Sequence, residues 1–242
     1  MKLSTLVNSF LDLIYPRYCL ICYTSLNNTD RKALCAECAE QIEFIHQNNV
    51  CYKCGTDFGP YATSETPCQE CFYHPPRFTK AIGIARYKGI MRELIHQFKY
   101  ARQKVLLDEL SNLLIERWLR VADSLPHIDF IIPAPLYRKK LKERGFNQSE
   151  LLAEKLHKAT GIPIEINNLI KIQPTPDQAS LNSSDRKNNL IDAFEVTHPQ
   201  SIKDKNILLI DDVLTTGATA SEIARTLKKN GAKGVYVLVL AR

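Results

Sequence analysis

The sequence predicts an α/β fold in which helices flank a parallel, doubly wound sheet, preceded by a small cysteine-rich module. From residue 79 onward, apolar segments typical of buried strands alternate with amphipathic segments typical of helices. All eight cysteines lie between Cys19 and Cys71. We therefore divide the chain into residues 1–78, an N-terminal helix followed by a metal module, and residues 79–242, the α/β domain.

The elements of the α/β domain follow from hydrophobic periodicity and helix-capping signals. Asn147 and Glu150 form a predicted capping box at the start of one helix, which Gly161 ends, and Gly231 ends another. A polar run at residues 172–189 is too long for an ordinary connection, so it is either functional or disordered. A short helix is expected at residues 1–15, strands at 81–87, 128–133, 164–169, 206–212 and 234–240, and further helices at 91–98, 105–122, 149–160 and 220–230.

The composition fits a soluble chain. The 242 residues are 45% hydrophobic and 24% charged, and neither a secretory signal nor a long apolar span is evident. We therefore expect a cytoplasmic protein. The formal net charge is +6, and Lys and Arg outnumber Asp and Glu only after residue 78. A basic surface suits an anionic substrate or a nucleic acid, and the charge alone does not choose between them.

The cysteines form four CxxC pairs, a spacing that predicts structural zinc. Each CxxC knuckle presents two sulfurs to one metal ion, and two knuckles complete a closed tetrahedral site. Pairing of adjacent knuckles is the preferred arrangement, although the spacing also allows an interleaved one. Disulfides are the alternative, which a reducing cytoplasm disfavours. The predicted ligands of two zinc ions are Cys19, Cys22, Cys35 and Cys38, and Cys51, Cys54, Cys68 and Cys71.

The segment ILLIDDVLTTGAT, residues 207–219, predicts a phosphate-binding loop between a strand and a helix. Amides at the start of a helix face an anion, glycine permits a tight turn, and threonine hydroxyls add hydrogen-bond donors. Two carboxylates at the strand end suit ribose hydroxyls or a hydrated magnesium ion. The simpler alternative is a strand end and a helix cap without a ligand. The candidate residues are Asp211, Asp212, Thr215, Thr216, Gly217, Ala218 and Thr219.

This segment resembles the signature of the type I phosphoribosyltransferases. The resemblance implies that the loop binds phosphoribosyl pyrophosphate with Mg²⁺. Purine-salvage members of that superfamily often have an acidic residue at the position of Thr215, so a base-activating carboxylate is missing here.

A basic segment follows the strand at residues 128–133, at the edge where parallel sheets bind ligands. Arg138 and Arg144 are the predicted pyrophosphate-binding residues in this cationic loop, although a solvated turn before a helix is the alternative. RGFNQ at residues 144–148, the pattern of Gln178, Leu181, Arg186 and Asn189, and the upstream cysteine pairs together resemble the ComF family. Members of that family have a zinc ribbon preceding a phosphoribosyltransferase domain.

These resemblances imply a function and partners. By similarity to phosphoribosyltransferases, the loop around residues 175–186 closes over the ligand, and Arg186 or Lys187 neutralises the developing pyrophosphate charge. The alternative is a loop that is only flexible. Resemblance to the ComF family implies single-stranded DNA handling during natural transformation, with DNA-uptake or recombination proteins as partners, and leaves peripheral attachment at the inner membrane open. The alternative function is an active, amidophosphoribosyltransferase-like enzyme with an unknown acceptor.

Overall fold

The computed structural model describes residues 17–27, 33–46, 49–59, 67–100, 104–174 and 190–242. The predicted helix at residues 1–15 and the predicted closing loop lie outside these ranges. The strands are β1 Lys80–Ala85, β2 Phe130–Pro133, β3 Leu169–Lys171, β4 Phe194–Val196, β5 Asn206–Val213 and β6 Gly234–Ala241. The helices are α1 Ala36–Glu40, α2 Gln69–Tyr73, α3 Gly89–Tyr100, α4 Lys104–Val121, α5 Arg138–Arg144, α6 Gln148–Thr160, α7 Pro199–Ile202 and α8 Ala218–Lys229.

The main sheet has the strand order β1-β6-β5-β2, and each neighbouring pair is parallel, which confirms the predicted sheet. Strand β5 lies inside the sheet, with Leu208 paired to Tyr236 on one side and to Ile131 on the other. A strand buried on both faces needs a continuous apolar run, and residues 206–210 of β5 are all buried. The carboxyl ends of β5 and β2 therefore meet at one edge of the sheet.

Alternating side chains of the sheet build two hydrophobic cores, one on each face. On the first face, Leu208 and Leu238 pack with residues of α3, α4 and α6. On the second face, Leu209 and Val237 pack with α8 and with the antiparallel pair formed by β3 and β4. Helices on both faces are the doubly wound arrangement predicted from the sequence.

Three features of the structure differ from those predicted from the local sequence pattern. The strand expected at residues 164–169 is a single parallel bridge of Ile164 to Ile131, and β3 begins only at Leu169 and pairs with β4 outside the main sheet. The basic segment predicted as a loop is helix α5, which Gly145 ends in the left-handed conformation at φ 81°. Short helices also form after Cys35 and Cys68 in the cysteine module, where helical periodicity is weak.

The cysteine module covers the free edge of β1. The amide of Ile45 donates to the carbonyl of Ile84, and the amide of Ala81 donates to the carbonyl of Lys53. Arg117 of α4 donates to the carbonyls of both Ile45 and Gly83 at 2.9 and 3.0 Å. These bonds satisfy a strand edge that would otherwise expose backbone groups. Each of the two backbone bonds joins a residue before the predicted domain boundary at residues 78 and 79 to a residue after it. The boundary itself stays a prediction.

None of the helices in the described ranges is long and apolar enough to cross a membrane.

Gly55 lies where the module packs closely against β1. Its φ is 68°, and a Cβ atom there would lie 2.8 Å from the carbonyl oxygen of Ala81. Gly59 has a similar φ of 83° but open space around the Cβ position. Comparing substitutions at Gly55 and Gly59 therefore distinguishes the cost of a left-handed backbone from the cost of a steric clash.

We predict that Gly55→Ala lowers the free energy of unfolding by about 2–4 kcal/mol, whereas Gly59→Ala lowers it by about 1–2 kcal/mol. Both variants carry the cost of a left-handed alanine, and only Gly55→Ala adds the collision with Ala81. Urea unfolding of the zinc-loaded protein measures the difference. Equal losses in the two variants would show that the module does not press on β1 at this position.

Candidate ligand site and metal centres

The segment predicted to bind phosphate forms the strand–loop–helix unit expected from its sequence. Strand β5 ends at Val213 and α8 begins at Ala218, with Thr215 and Thr216 exposed in the loop between them. Gly217 is the N-cap of α8, in the left-handed conformation with a φ of 77°. The loop therefore presents the positive end of the α8 dipole at the carboxyl edge of the sheet.

The two carboxylates of β5 lie in different environments. Asp212 is buried and forms an ion pair with Lys99, whose Nζ lies 2.7 Å from Oδ2. Asp211 accepts hydrogen bonds at Oδ1 from the Ser149 hydroxyl at 3.0 Å and from the Asp212 amide at 2.9 Å. Desolvation, followed by the charge of Asp212, raises the pKa of Asp211 to about 7. The pair therefore carries less negative charge at neutral pH than two separate carboxylates would.

Lys99 is a site residue that the sequence analysis missed. It lies in the last turn of α3, more than one hundred residues before the aspartates. Desolvation opposes its charge, but the nearby Asp212 and Asp211 raise its pKa, so the ammonium form is retained. A lysine at the end of an amphipathic helix looks like an ordinary dipole-compensating residue. Only the packing of α3 beside the end of β5 reveals its role.

The RGFNQ motif and the serine after it support this site structurally. Asn147 caps α6 by accepting from the Ser149 amide, and its own amide donates to the carbonyl of Ala134 after β2. The Asn147 half of the predicted capping box is thus present. Ser149 then reaches Asp211. Phe146 lies beside Phe98 of α3, with ring centroids 6.1 Å apart.

Arg138 and Arg144, predicted to bind pyrophosphate, are the first and last residues of α5. Arg138 is exposed. The Arg144 guanidinium lies 5.4 Å from the ring centroid of Tyr100, the residue next to Lys99. Helix α5 follows β2, and its contact with Tyr100 places Arg144 beside the end of α3 that carries Lys99. The predicted catalytic residues Arg186 and Lys187 lie outside the described residues.

The eight cysteines form two separate groups of four, which confirms pairing of adjacent knuckles. Within each group all sulfur atoms lie within 4.8 Å of one another. The sulfur–sulfur separations are 3.5 Å for Cys22 to Cys35 and 3.6 Å for Cys54 to Cys68. Tetrahedral zinc with Zn–S bonds of about 2.3 Å places sulfurs about 3.8 Å apart, so both groups fit zinc.

The surroundings of the thiols also suit a metal. Hydrogen bonding with Thr24 lowers the pKa of Cys22 to about 6, and thiolates are the form that binds zinc. Burial, followed by the neighbouring cysteines of the same group, raises the pKa of Cys38 and Cys71. Four sulfur ligands leave no open coordination position, so these centres are structural.

Comparison with known proteins agrees with this geometry. Residues 10–72 match the family described as Double zinc ribbon domain, and residues 146–242 match Phosphoribosyl transferase domain. The chain is 31% identical to DNA utilization protein YhgH of Salmonella typhi over 95% of this chain and 99% of that protein. It is 32% identical to Competence protein F of Haemophilus influenzae over 93% and 96%, and 27% identical to Competence protein ComFC of Bacillus subtilis over 82% and 79%.

The chain belongs to the ComF family. As in the sequence analysis, a double zinc ribbon precedes a type I phosphoribosyltransferase fold, and the two groups of four cysteines supply the zinc sites of the ribbon. The motif that suggested the ComF family, RGFNQ, holds the start of α6 against the end of β2 and leads to Ser149 beside Asp211.

The raised pKa of Asp211 predicts how stability depends on pH. The folded protein holds this proton more tightly than the unfolded chain, whose Asp pKa is near 4, so the free energy of unfolding should fall as pH rises toward 7 and level off above it. Asp211→Asn cannot titrate. This variant should reduce the slope of the free energy of unfolding against pH by up to about 1 kcal/mol per pH unit.

Urea unfolding in magnesium-free buffer between about pH 5.5 and 8 tests this prediction. Asp123→Asn, a change at an exposed residue away from the loop, should keep the wild-type slope. An unchanged slope in Asp211→Asn would show that the Asp211 carboxyl titrates near its ordinary pKa.

Proposed function

We propose that this protein binds phosphoribosyl pyrophosphate with Mg²⁺ at the loop after β5 and acts in the handling of single-stranded DNA during natural transformation. One observation carries the ligand assignment. Two carboxylates at the end of a central parallel strand directly precede a loop whose Gly217 turns the chain into the N-terminus of α8. This arrangement matches the two ends of a phosphorylated sugar, which are hydroxyl groups and phosphate.

Different residues of the site are proposed to contact different parts of the ligand. The residues from Thr215 to Thr219 would bind a phosphate through backbone amides and hydroxyls. Asp211 and Asp212 would accept hydrogen bonds from ribose hydroxyls and orient hydrated Mg²⁺. Lys99 pairs with Asp212 and limits the net negative charge that repels phosphate. Arg138 and Arg144 are proposed to bind pyrophosphate, and Arg186 and Lys187 to neutralise charge as it develops there.

We predict that wild-type protein binds phosphoribosyl pyrophosphate in the presence of Mg²⁺ and that Asp212→Asn weakens binding at least about tenfold, because it removes a charged hydrogen-bond acceptor. Isothermal titration calorimetry measures both affinities. Asp123→Asn makes the same chemical change at an exposed position away from the loop and should bind like wild type. If Asp212→Asn binds as tightly as wild type, the carboxylate pair does not hold the ribose.

The DNA assignment is supported by the family and by the surface. One relative is named for DNA utilization and two for competence. Near the second cysteine group, desolvation and the charges of Lys53 and Arg77 lower the pKa of Lys228, which places three cations close together. Phe72 and Tyr73 of α2 are 67% and 66% exposed, with ring centroids 5.2 Å apart. Clustered cations and exposed aromatic rings bind the backbone and bases of single strands.

We therefore expect the Lys53→Gln, Lys228→Gln double variant to bind single-stranded DNA more weakly and to reduce the slope of log affinity against log salt by about 1.4. Fluorescence anisotropy with a labelled oligothymidylate at several salt concentrations gives the slope. Lys158→Gln, Lys203→Gln removes the same charge from exposed positions on α6 and after α7. Equal losses in both double variants would mean that only overall charge, and no particular surface, binds DNA.

The second candidate function is transfer of the phosphoribosyl group to an unknown acceptor, as in an amidophosphoribosyltransferase. The observation in its favour is the pKa of Asp211 near 7, where a carboxyl group exchanges protons readily at neutral pH. Release of pyrophosphate on addition of candidate acceptors distinguishes the two functions. Turnover that Asp211→Asn and Asp212→Asn abolish would establish the enzyme.

The proposed setting is the cytoplasm, with peripheral attachment at the inner membrane during DNA uptake. DNA-uptake or recombination proteins are the proposed protein partners. Residues 1–78 are proposed as the domain that meets them, and residues 79–242 as the ligand-binding domain.

A further inference from the structure

The phosphate loop is bonded to the second cysteine group through one side chain, Arg242. Its Nε donates to the Thr56 hydroxyl at 2.8 Å, and Nη2 donates to Cys54 Sγ at 2.9 Å and also to Thr56. Its Nη1 donates to the carbonyl oxygens of Leu214 and Thr215, both at 3.3 Å. A single guanidinium thus joins a predicted zinc ligand to the backbone of the loop.

A second, apolar contact joins the same two regions. The ring of Phe78 lies 3.6 Å from the position that a Cβ atom on Gly217 would occupy. Phe78 is buried in the core that also contains Cys51, Cys54 and Cys71. The turn that starts α8 therefore packs on Phe78, which shares this core with the second cysteine group.

The first cysteine group has a different environment. Cys19 and Cys38 belong to the core on the opposite face of the sheet, with residues of α3 and α4. The side-chain amide of Gln97 in α3 donates to the carbonyl of Leu20, the residue after Cys19, at 3.1 Å. The two halves of the ribbon therefore differ in what they support.

The chemistry of the contact makes it sensitive to zinc. Four thiolates around one zinc ion carry a net negative charge, and a guanidinium that donates to one of them forms a charge-assisted hydrogen bond. Such outer contacts orient metal ligands and are oriented by them. Because the planar guanidinium has fixed donor directions, holding its Nη2 on Cys54 aims Nη1 at the loop carbonyls.

We propose that Arg242 is a positioning residue that makes the second zinc centre, and not the first, a support of the phosphate loop. The proposal rests on the proposed binding of phosphoribosyl pyrophosphate for its effect on affinity. The structural coupling itself does not need that ligand. Loss of the second centre releases the guanidinium, and the loop then samples conformations whose amides do not converge on phosphate.

The main test replaces Arg242 with lysine, which keeps the positive charge but lacks the planar set of guanidinium donors. Arg242→Lys should weaken phosphoribosyl pyrophosphate binding about tenfold, as expected for loss of several hydrogen bonds from a charged group. It should retain two zinc ions per chain. Arg86→Lys is the matched control, because the Arg86 guanidinium also joins the module to the sheet but bonds to the carboxylates of Asp57 and Glu43 instead of the loop carbonyls. Equal weakening in both variants would overturn the proposal.

Hydrogen exchange without ligand tests the coupling independently of ligand binding. Arg242→Lys and Cys68→Ser, which removes a ligand of the second centre, should speed amide exchange in residues 214–217 at least about tenfold, reflecting more frequent local opening. Cys22→Ser, which removes an exposed thiol of the first centre, should leave exchange there unchanged. Equal acceleration by Cys22→Ser and Cys68→Ser would overturn the proposal, as would unchanged exchange in Arg242→Lys.

A spectroscopic measurement separates positioning from general destabilisation. In protein loaded with Co²⁺ in place of zinc, phosphoribosyl pyrophosphate should shift the thiolate-to-cobalt absorption bands of wild type and not those of Arg242→Lys. A shift that persists in Arg242→Lys would contradict the link. If wild type binds no phosphoribosyl pyrophosphate, the proposed function fails, while the exchange experiment still decides whether Arg242 couples the two regions.

Discussion

The pairing of β5 between β2 and β6 is the constraint on which the site depends. Hydrogen bonds on both sides fix the position and direction of this strand, and its buried residues hold it against both cores. Its carboxyl end therefore delivers Asp211 and Asp212 to a rigid position at the edge of the sheet. A loop supported in this way can keep its amides ordered before a ligand arrives, which reduces the entropy lost on binding.

Placing two adjacent carboxylates at a desolvated strand end is unfavourable, and the surrounding elements offset this cost in two ways. Lys99 from α3 provides a positive charge for Asp212, and Ser149 from α6 provides a hydrogen bond for Asp211. The remaining cost appears as the raised pKa of Asp211. Helices α3 and α6 and strand β5, which are distant in the sequence, thus position one acidic pair together. The packing of α3 and α6 therefore affects the charge of the site.

The double ribbon does more than cover a sheet edge. It continues the hydrogen bonding of β1 through Ile45 and Lys53, and its two cysteine groups extend the cores on opposite faces of the sheet. The two halves of the ribbon therefore contact different parts of the domain. The first packs with α3 and α4 on one face of the sheet, whereas the second is bonded to the loop through Arg242 and lies near the cations that we propose bind DNA. In our proposal a single module therefore links metal binding to the proposed ligand site and the proposed nucleic-acid surface.

The sequence by itself determined the features that depend on neighbouring residues. The apolar runs of β5 and β6, the CxxC knuckles, the Gly217 turn and the Asn147 cap each follow from local chemistry, and the structure contains all of them. Adjacent pairing of the knuckles was preferred from the sequence but decided by the structure. The basic segment after β2 was mistaken for a loop because its charges obscured the periodicity of the short helix α5.

Only the tertiary structure could decide which distant side chains meet. Lys99 and Arg242 reach the site from α3 and from the end of β6, and nothing in their local sequence distinguishes them from surface cations. Their roles arise because long-range packing brings charged groups into a region of low dielectric, where a single partner determines whether the charge is tolerated. The physical reason is that local pattern encodes burial and backbone conformation, whereas electrostatic partners are chosen by the folded arrangement as a whole.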